Sequence, residues 1–201
     1  MFIYFLVITG DEVPASSEGG LIIDQNLPAK KIATIQKLHK TFDIWFDFFQ
    51  TNHDANRFRS VFRLTATKEN HGGLGDRIPS IHTTKKSWGN NLQLSYAFKS
   101  DLGYYTKQPR RVGHWQRFNF RQKLVDGKYM FEIFIGGKLV IQMENKEPQE
   151  YDDVAVFIGD DFTKPVNGRF DNFIIASPAQ DAIFGKFLLY VSTARGNTTV
   201  Y

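Results

Sequence analysis

Residues 114–143 read HWQRFNFRQKLVDGKYMFEIFIGGKLVIQM, and this stretch decides the fold. The dipeptides Asp126-Gly127 and Gly136-Gly137 separate three runs in which apolar and polar residues alternate. Both dipeptides favour tight hairpins, because a type I′ turn needs positive φ at its two central residues. The middle run, residues 128–135, has the two-residue period of a half-buried strand. The stretch therefore predicts a three-stranded antiparallel meander within an all-β protein.

The same alternation recurs before and after the meander. It predicts strands at residues 21–24, 41–50, 57–66, 91–98, 153–159, 168–176 and 182–191, while residues 30–40 suit either a helix or a strand. Short strands separated by polar, glycine-containing connections are typical of a sandwich or a barrel. Residues 2–8 are apolar with no Lys or Arg before them, so we interpret residues 1–20 either as a signal-peptide remnant or as a first strand plus a loop.

Composition excludes several classes of protein. The chain has 201 residues, of which 42% are apolar and 15% aromatic, which is enough for a substantial core. The absence of cysteine excludes disulfides, thiolate zinc sites and cysteine nucleophiles. The formal charge of +4, without a helix-based binding motif, argues against a nucleic-acid partner. No apolar run is long enough for a membrane-spanning helix.

Charge is unevenly distributed along the chain. Residues 102–125 contain six basic residues and no acid, whereas residues 144–161 contain seven acids and one lysine. The basic run is open to two interpretations. It forms a patch for an anionic partner such as a sulfated glycan, or its charges alternate along strands on a solvated face.

Catalytic patterns are few. Glycoside cleavage needs two carboxylates across the scissile bond, and the best candidates are Asp43 and Asp47, which share a strand face with Trp45 between them. Glu132 stands alone in the meander. No Gly-x-Ser-x-Gly elbow occurs, and the five histidines have no zinc-site spacing.

Aromatic and basic residues in predicted loops are candidates for binding a ligand, since sugars stack on aromatic rings and hydrogen-bond to polar groups at a rim. The candidate ligand-binding residues are Arg77, His82, Trp88, Tyr104, Tyr105, Arg110 and Arg111. Trp115 begins a strand, and we expect it to pack in the core.

Four segments resemble laminin-G-like jelly rolls of the concanavalin A-like lectin and glucanase superfamily. They are the aromatic strand at residues 41–49, Trp115 with the strand and hairpin that follow it, residues 152–160, and the closing strand GRFDNFII at residues 168–175. Residues 75–79 and 148–151 also resemble a group of uncharacterised animal extracellular domains of this type. The resemblance covers residues 41–176 and implies a single all-β jelly roll, an antiparallel two-sheet β-sandwich. Together with the strand pattern it predicts a domain at residues 21–180, followed by a terminal strand and mobile tail at residues 181–201.

The resemblance also implies a cofactor and a class of function. Many members carry a structural calcium ion, and the matching carboxylate of the closing strand is Asp171. Asp160 and Asp161, in a turn after Gly159, are a second candidate for calcium.

Members of this superfamily include lectins, adhesion modules, glycosidases and lyases, so the fold alone does not decide the function. We expect a non-catalytic recognition or adhesion module, extracellular or at the cell surface, that binds a glycan, acidic or not, or a protein. Two alternatives remain. One is a polysaccharide-active enzyme using Asp43 and Asp47, and the other is a structural matrix domain.

Overall fold

The computed structural model describes residues 21–23, 30–52, 57–67, 74–85, 87, 89, 91–96, 105–160, 162–177, 188–190, 193–194 and 197–198. This part of the chain forms fifteen strands. They are β1 (Leu21–Ile23), β2 (Lys30–Leu38), β3 (Phe42–Gln50), β4 (Arg59–Thr65), β5 (Ser80–Thr83), β6 (Asn91–Ser95), β7 (Tyr105–Pro109), β8 (Trp115–Val125), β9 (Lys128–Ile135), β10 (Lys138–Asn145), β11 (Tyr151–Ile158), β12 (Gly168–Ala176), β13 (Leu188–Tyr190), β14 (Thr193–Ala194) and β15 (Asn197–Thr198). The described residues include no helix with the length and apolar character of a membrane-spanning segment.

Two antiparallel sheets make up the sandwich. A seven-stranded sheet has the order β1-β12-β3-β8-β9-β10, with β13 also paired to β12. A six-stranded sheet has the order β2-β11-β4-β5-β6-β7. Strands β14 and β15 pair separately as a short ribbon. This arrangement confirms the predicted antiparallel two-sheet β-sandwich.

The meander forms as the sequence predicts, with β8, β9 and β10 joined by two-residue turns. In the first turn Asp126 has φ of 49° and Gly127 has φ of 76°. In the second turn Gly136 has φ of 59° and Gly137 has φ of 78°. Positive φ at both central positions is the signature of the type I′ hairpin.

Phenylalanine fills the space between the sheets. The ring centroid of Phe46 lies 4.6 Å from that of Phe170, 5.3 Å from that of Phe118 and 4.8 Å from that of Phe62. Phe62 belongs to the six-stranded sheet and the other three belong to the seven-stranded sheet. All four are buried. This aromatic layer joins the two sheets, because each ring buries a large apolar area and packs against its neighbours in tilted or stacked pairs.

The structure resolves the ambiguous segment at residues 30–40 and changes the start of the strand predicted at residues 57–66. The ambiguous segment at residues 30–40 forms a strand, β2, at the edge of the six-stranded sheet. The strand predicted at residues 57–66 begins at Arg59, and its pairing with β5 shifts between Ser60 and Phe62. A bulge of this kind reverses the facing of the residues before it. Phe58 therefore lies on the outward side of the sheet, where it stacks on His82.

Candidate functional site

The outward side of the seven-stranded sheet carries a continuous group of polar and aromatic side chains. Phe46 and Phe118 point into the core, so the alternate residues of β3 and β8 point outward. The same holds for β9, where Phe131 and Ile133 are buried core residues. We call the outward set the polar face. It consists of Asp43, Trp45, Asp47 and Phe49 of β3, Trp115, Arg117, Asn119 and Arg121 of β8, Glu132 and Phe134 of β9, and Gln142 of β10.

Glu132 is the buried centre of the polar face, with 3% of its side chain exposed. Its Oε2 accepts a hydrogen bond from Arg121 Nε at 2.7 Å, and Lys123 Nζ lies 3.3 Å from the same oxygen. Gln142 Nε2 donates to the other oxygen at 2.8 Å. Burial acts to raise the pKa of Glu132, but these donors outweigh it and lower the pKa. Glu132 is therefore an ionised group that fixes the orientation of its neighbours.

Asp47 is the centre of a second group of contacts. Arg117 donates from Nε and Nη2 to the two carboxylate oxygens, each at 2.8 Å. Asn172 Nδ2 donates to Asp47 Oδ2 at 2.8 Å. Asn172 lies where the pairing of β12 with β3 shifts, and it has φ of 51°, a left-handed conformation that Asn tolerates better than most residues. The shift therefore supplies a third side chain to this group.

Asp43 differs from the other two carboxyls of the polar face. It accepts a hydrogen bond from Asn119 Nδ2, which also donates to the backbone carbonyl oxygen of Ile44 at 3.2 Å. Among the described residues no salt bridge reaches Asp43, because its cross-strand neighbour Arg121 is paired with Glu132. Burial raises the pKa of Asp43 to about 6, and the Asn119 bond and the Arg121 charge offset this only in part.

Aromatic rings flank the charged groups. Trp45 stands between Asp43 and Asp47 on β3 and is half-buried. The guanidinium carbon of Arg121 lies 4.8 Å from the ring centroid of Phe134, a cation–π contact. These rings are the stacking surfaces of the polar face.

Trp115 corrects a prediction. It does not pack in the core: it is 38% exposed, and its ring centroid lies 5.5 Å from that of Phe49 on the outward side. The reason is the strict alternation of β8, in which Gln116 and Phe118 take the inward positions. An exposed tryptophan thus ends the row of polar-face residues on β8.

The register of β3 places the two carboxyls proposed for catalysis on one face. The pairing of β3 with β8 is continuous from Phe42 to Phe49, so Asp43 and Asp47 are four regular strand positions apart, with their Cα atoms about 13 Å apart. Asp47 is held by Arg117 and Asn172, whereas no described ion pair reaches Asp43. Catalysis by the two carboxyls stays a prediction.

Three of the six basic residues at positions 102–125 contact carboxylates of neighbouring strands. Arg117 contacts Asp47, and both Arg121 and Lys123 contact Glu132. For these three residues, the contacts match the interpretation of charges alternating along a strand better than that of an uncompensated patch.

The predicted rim residues are dispersed. Arg77 and Arg110 are half-buried and Arg111 is exposed. Tyr105 begins β7, the edge strand of the six-stranded sheet. Trp88 and Tyr104 lie outside the described residues. Binding by these residues stays a prediction.

His82 does not lie at a rim. It is buried on the outward side of the six-stranded sheet, where its Nε2 is 2.9 Å from Asp160 Oδ2. Asp160 Oδ1 accepts hydrogen bonds from the backbone N–H of Phe162 at 2.8 Å and of Thr163 at 2.6 Å. Burial acts to raise the pKa of Asp160, but His82 and these amides lower it to about 2. We call this region, with Arg63, the covered face.

These contacts give both residues a structural role. His82 is expected to bind a ligand and Asp160 to bind calcium, and in the structure each is the buried partner of the other. Ligand binding by His82 and calcium binding by Asp160 stay predictions. Asp160 fixes the turn that follows β11, and Phe162 of that turn lies over Arg63, whose guanidinium carbon is 4.9 Å from the ring centroid. The pair therefore attaches a connecting segment to the sheet.

Ser60 joins His82 and Asp160 in a grouping that the sequence did not reveal. Ser60 is the cross-strand partner of His82, and neither Ser60 Oγ nor His82 Nδ1 has a hydrogen-bond partner among the described residues. The residue types are those of a hydrolase triad. All three are buried, however, and Phe58 stacks on the imidazole with ring centroids 4.7 Å apart. A substrate has no access to this group in the folded protein.

The two predicted calcium positions lie at different sheets. Asp171 lies on β12 in the seven-stranded sheet, and its Oδ1 accepts the backbone N–H of Asn172 at 2.8 Å. Asp160 follows the six-stranded sheet, and Asp161 lies outside the described residues. Within the described part of the chain, no group of three or more His, Asp or Glu side chains is arranged to hold a metal ion. Calcium binding stays a prediction.

Comparison with known proteins places the fold in context. No protein-family model and no curated protein matches this sequence. A native heptameric SAP-like pentraxin from Limulus polyphemus matches with a TM-score of 0.51 and 14% identity over 84% of this chain and 73% of that chain. The carbohydrate recognition domain of Emp47p matches with a TM-score of 0.50 and 10% identity over 86% of this chain and 93% of that chain. The chain thus has the fold of a concanavalin A-like jelly-roll sandwich.

Proposed function

We propose that this protein is a non-catalytic glycan-recognition module and that the polar face is its binding surface. The observation that carries the proposal is the ordered mixture of carboxylate, amide and guanidinium groups with half-exposed aromatic rings between them. Sugars are bound by such mixtures, because hydroxyls both donate and accept hydrogen bonds while ring faces stack on aromatics.

Preorganisation supports this role. Arg117 and Arg121 are held by Asp47 and Glu132, and Asn119 is held by Asp43 and a backbone carbonyl. A ligand that meets side chains already fixed in place loses less binding free energy to ordering them. The fold adds a further argument, since the Emp47p domain of similar fold is named for carbohydrate recognition.

The proposal extends to the type of domain and its location. The closing strand GRFDNFII at residues 168–175 supports a laminin-G-like domain. Such a domain acts outside the cell or at its surface, where Asn197-Thr198-Thr199 would serve as a glycosylation acceptor. Expression in a secreting host should give a chain whose mass falls on removal of N-linked glycans, and unglycosylated secreted protein would count against the acceptor.

A glycan panel with matched variants tests the proposal. The wild-type protein is expected to bind a subset of immobilised glycans, and Trp115→Ala should lower that affinity at least tenfold. Phe162→Ala is the matched control, because Phe162 is also an exposed aromatic residue, at 51%, but lies on the covered face. Equal loss with both variants, or a folded protein that binds no glycan, would refute the proposal.

A second candidate is a polysaccharide-active enzyme in which Asp43 is the acid. The raised pKa of Asp43, about 6, favours it, because general acids need a proton near neutral pH. The described residues do not pair Asp43 with a free second carboxylate. Release of reducing ends or unsaturated products from polysaccharides, lost in Asp43→Asn, would establish this function in place of simple binding.

A further inference from the structure

We infer that the ligand of the polar face is an uncharged oligosaccharide lying along β3 and β8, and that Asp43 accepts its hydroxyl donors and releases a proton on binding. This inference rests on the proposed glycan-binding function and gives it a chemical class and a measurable signature.

The charges of the polar face disfavour a strongly anionic ligand. Arg117 directs two nitrogens to Asp47, and Arg121 directs Nε and Nη2 to Glu132. A sulfate or carboxylate on the ligand would meet guanidinium groups whose positive charge is already offset by a neighbouring carboxylate, and it would be repelled by Asp47 and Glu132. The face therefore offers few cations to an anion.

The Asp43 carboxyl can accept further hydrogen bonds from a ligand. Asn119 reaches its Oδ1, and no described salt bridge uses either oxygen. The titratable groups around Asp43 are Arg121 and Lys123 of β8 and Glu132 of β9, while β12 places Ala176 opposite it. Arg121 and Lys123 both contact Glu132, so they only partly compensate the charge of Asp43. Hydroxyl donors from a ligand would supply the missing stabilisation.

Proton release on binding follows from the incomplete compensation of the Asp43 charge. Free Asp43 has a pKa raised to about 6 by burial. Hydrogen bonds donated to a carboxylate stabilise its charged form and lower its pKa. Binding a hydroxyl-rich ligand should therefore drive the proton from Asp43 into solvent when the pH lies near or below 6.

The aromatic rings set the length of the ligand. Trp45 faces Asn119 in one cross-strand row, and Phe49 faces Trp115 in another row four residues further along β3. Four strand positions span about 13 Å. Two stacking surfaces at that separation suit several linked sugar units better than a single one.

Calorimetry provides the test, with laminari-, cello- and manno-oligosaccharides of three to six units, heparin fragments and chitosan oligosaccharides as probes. We expect an uncharged oligosaccharide to bind about tenfold more tightly at pH 7 than at pH 5, which follows if binding lowers the pKa of Asp43 by about two units. At pH 6 the measured heat should depend on the buffer's ionisation enthalpy, because a proton is released. Asp43→Asn should abolish both effects, and Asp152→Asn, at an exposed position of β11, should abolish neither.

The outcomes separate this inference from the proposed function. Tight binding of an uncharged oligosaccharide that is independent of pH would overturn the inference and leave the function standing. Binding restricted to heparin or to free-amine chitosan would overturn the uncharged class. A folded protein that binds no glycan would overturn both. A cooperative thermal transition for Asp43→Asn would show that its altered binding is not a folding defect.

Discussion

The two outward faces of this sandwich use charged residues in opposite ways. On the polar face, Arg117 has 61% of its side chain exposed while it contacts Asp47, so the ion pair is part of the protein's surface. On the covered face, the Asp160 side chain is 0% exposed and that of His82 is 5% exposed. The first arrangement orders a surface that a ligand can touch, and the second attaches a connecting segment to a sheet.

The difference shows how a carboxylate's environment decides its role. Asp160 receives the imidazole of His82 and two backbone amides, and its lowered pKa reports a charge that the fold fully compensates. Asp43 receives one amide, and its raised pKa reports a charge that the fold compensates poorly. A poorly compensated group at an accessible face is a candidate for function, whereas a well compensated buried group contributes to stability.

The largest effect is expected on the covered face. Asp160→Ala should lower the free energy of unfolding by about 3–5 kcal/mol, because it leaves buried His82 and the turn amides without their partner. Asp152→Ala, an exposed change on the preceding strand, should cost less than about 0.5 kcal/mol. Urea denaturation at pH 7 measures both, and a loss below 1 kcal/mol for Asp160→Ala would contradict a buried structural pair.

The next largest loss of stability is expected where β12 packs closely against β3. A Cβ at Gly168 would lie 2.6 Å from Phe48 Cε2 and 2.6 Å from the backbone oxygen of Phe49. Gly168→Ala should therefore force the strands apart, costing about 1–3 kcal/mol in thermal denaturation. The shift should also weaken the Asn172–Asp47 contact and so reduce glycan binding. Unchanged stability would show that the strands can separate without cost.

A smaller change, a gain in stability rather than a loss, is expected for a substitution on the polar face. The pKa of Asp43 is about 6 in the folded protein and about 4 in the unfolded chain. Because the folded state holds this proton more tightly, the free energy of unfolding falls as the pH rises from about 4 through about 6. Asp43→Asn should therefore stabilise the protein by about 1 kcal/mol at pH 7.5, allowing for solvent screening, and by nothing at pH 4. Chemical denaturation at both pH values measures this, and destabilisation at pH 7.5 would contradict the assignment.

The smallest stability effect should come from Arg117→Ala. Arg117 is 61% exposed, and buried Asp47 keeps its hydrogen bond from Asn172 after the change. The loss should therefore be at most about 1 kcal/mol and should shrink further in high salt. Glycan binding, in contrast, should fall at least tenfold. A large stability loss with intact binding would mean that the polar face is structural like the covered face.

Much of the fold could be predicted from local pattern. The turns at Asp126-Gly127 and Gly136-Gly137 fix the register of the meander, and that register makes Arg121 and Glu132 cross-strand partners. The central ion pair of the polar face was therefore readable by counting outward from the first turn. Trp115 was readable in the same way from the alternation of β8.

Other parts of the site depend on contacts between distant segments. Asp43 and Asp47 stand out in the sequence, but their partners Asn119 and Arg117 are 76 and 70 residues away on β8, and no local pattern specifies that β8 pairs with β3. His82 and Asp160 are 78 residues apart. The left-handed conformation of Asn172 arises where β12 shifts against β3, and no turn signal marks that position.

The polar face can be tested most directly with the indole N–H signals of the three tryptophans, Trp45, Trp88 and Trp115. Each signal can be assigned by a Trp→Phe variant in proton–nitrogen NMR spectra. Titration with the uncharged oligosaccharide that binds best in the panel should shift the Trp45 and Trp115 signals saturably and leave that of Trp88 in place. A saturable shift confined to Trp88 would contradict binding on the polar face.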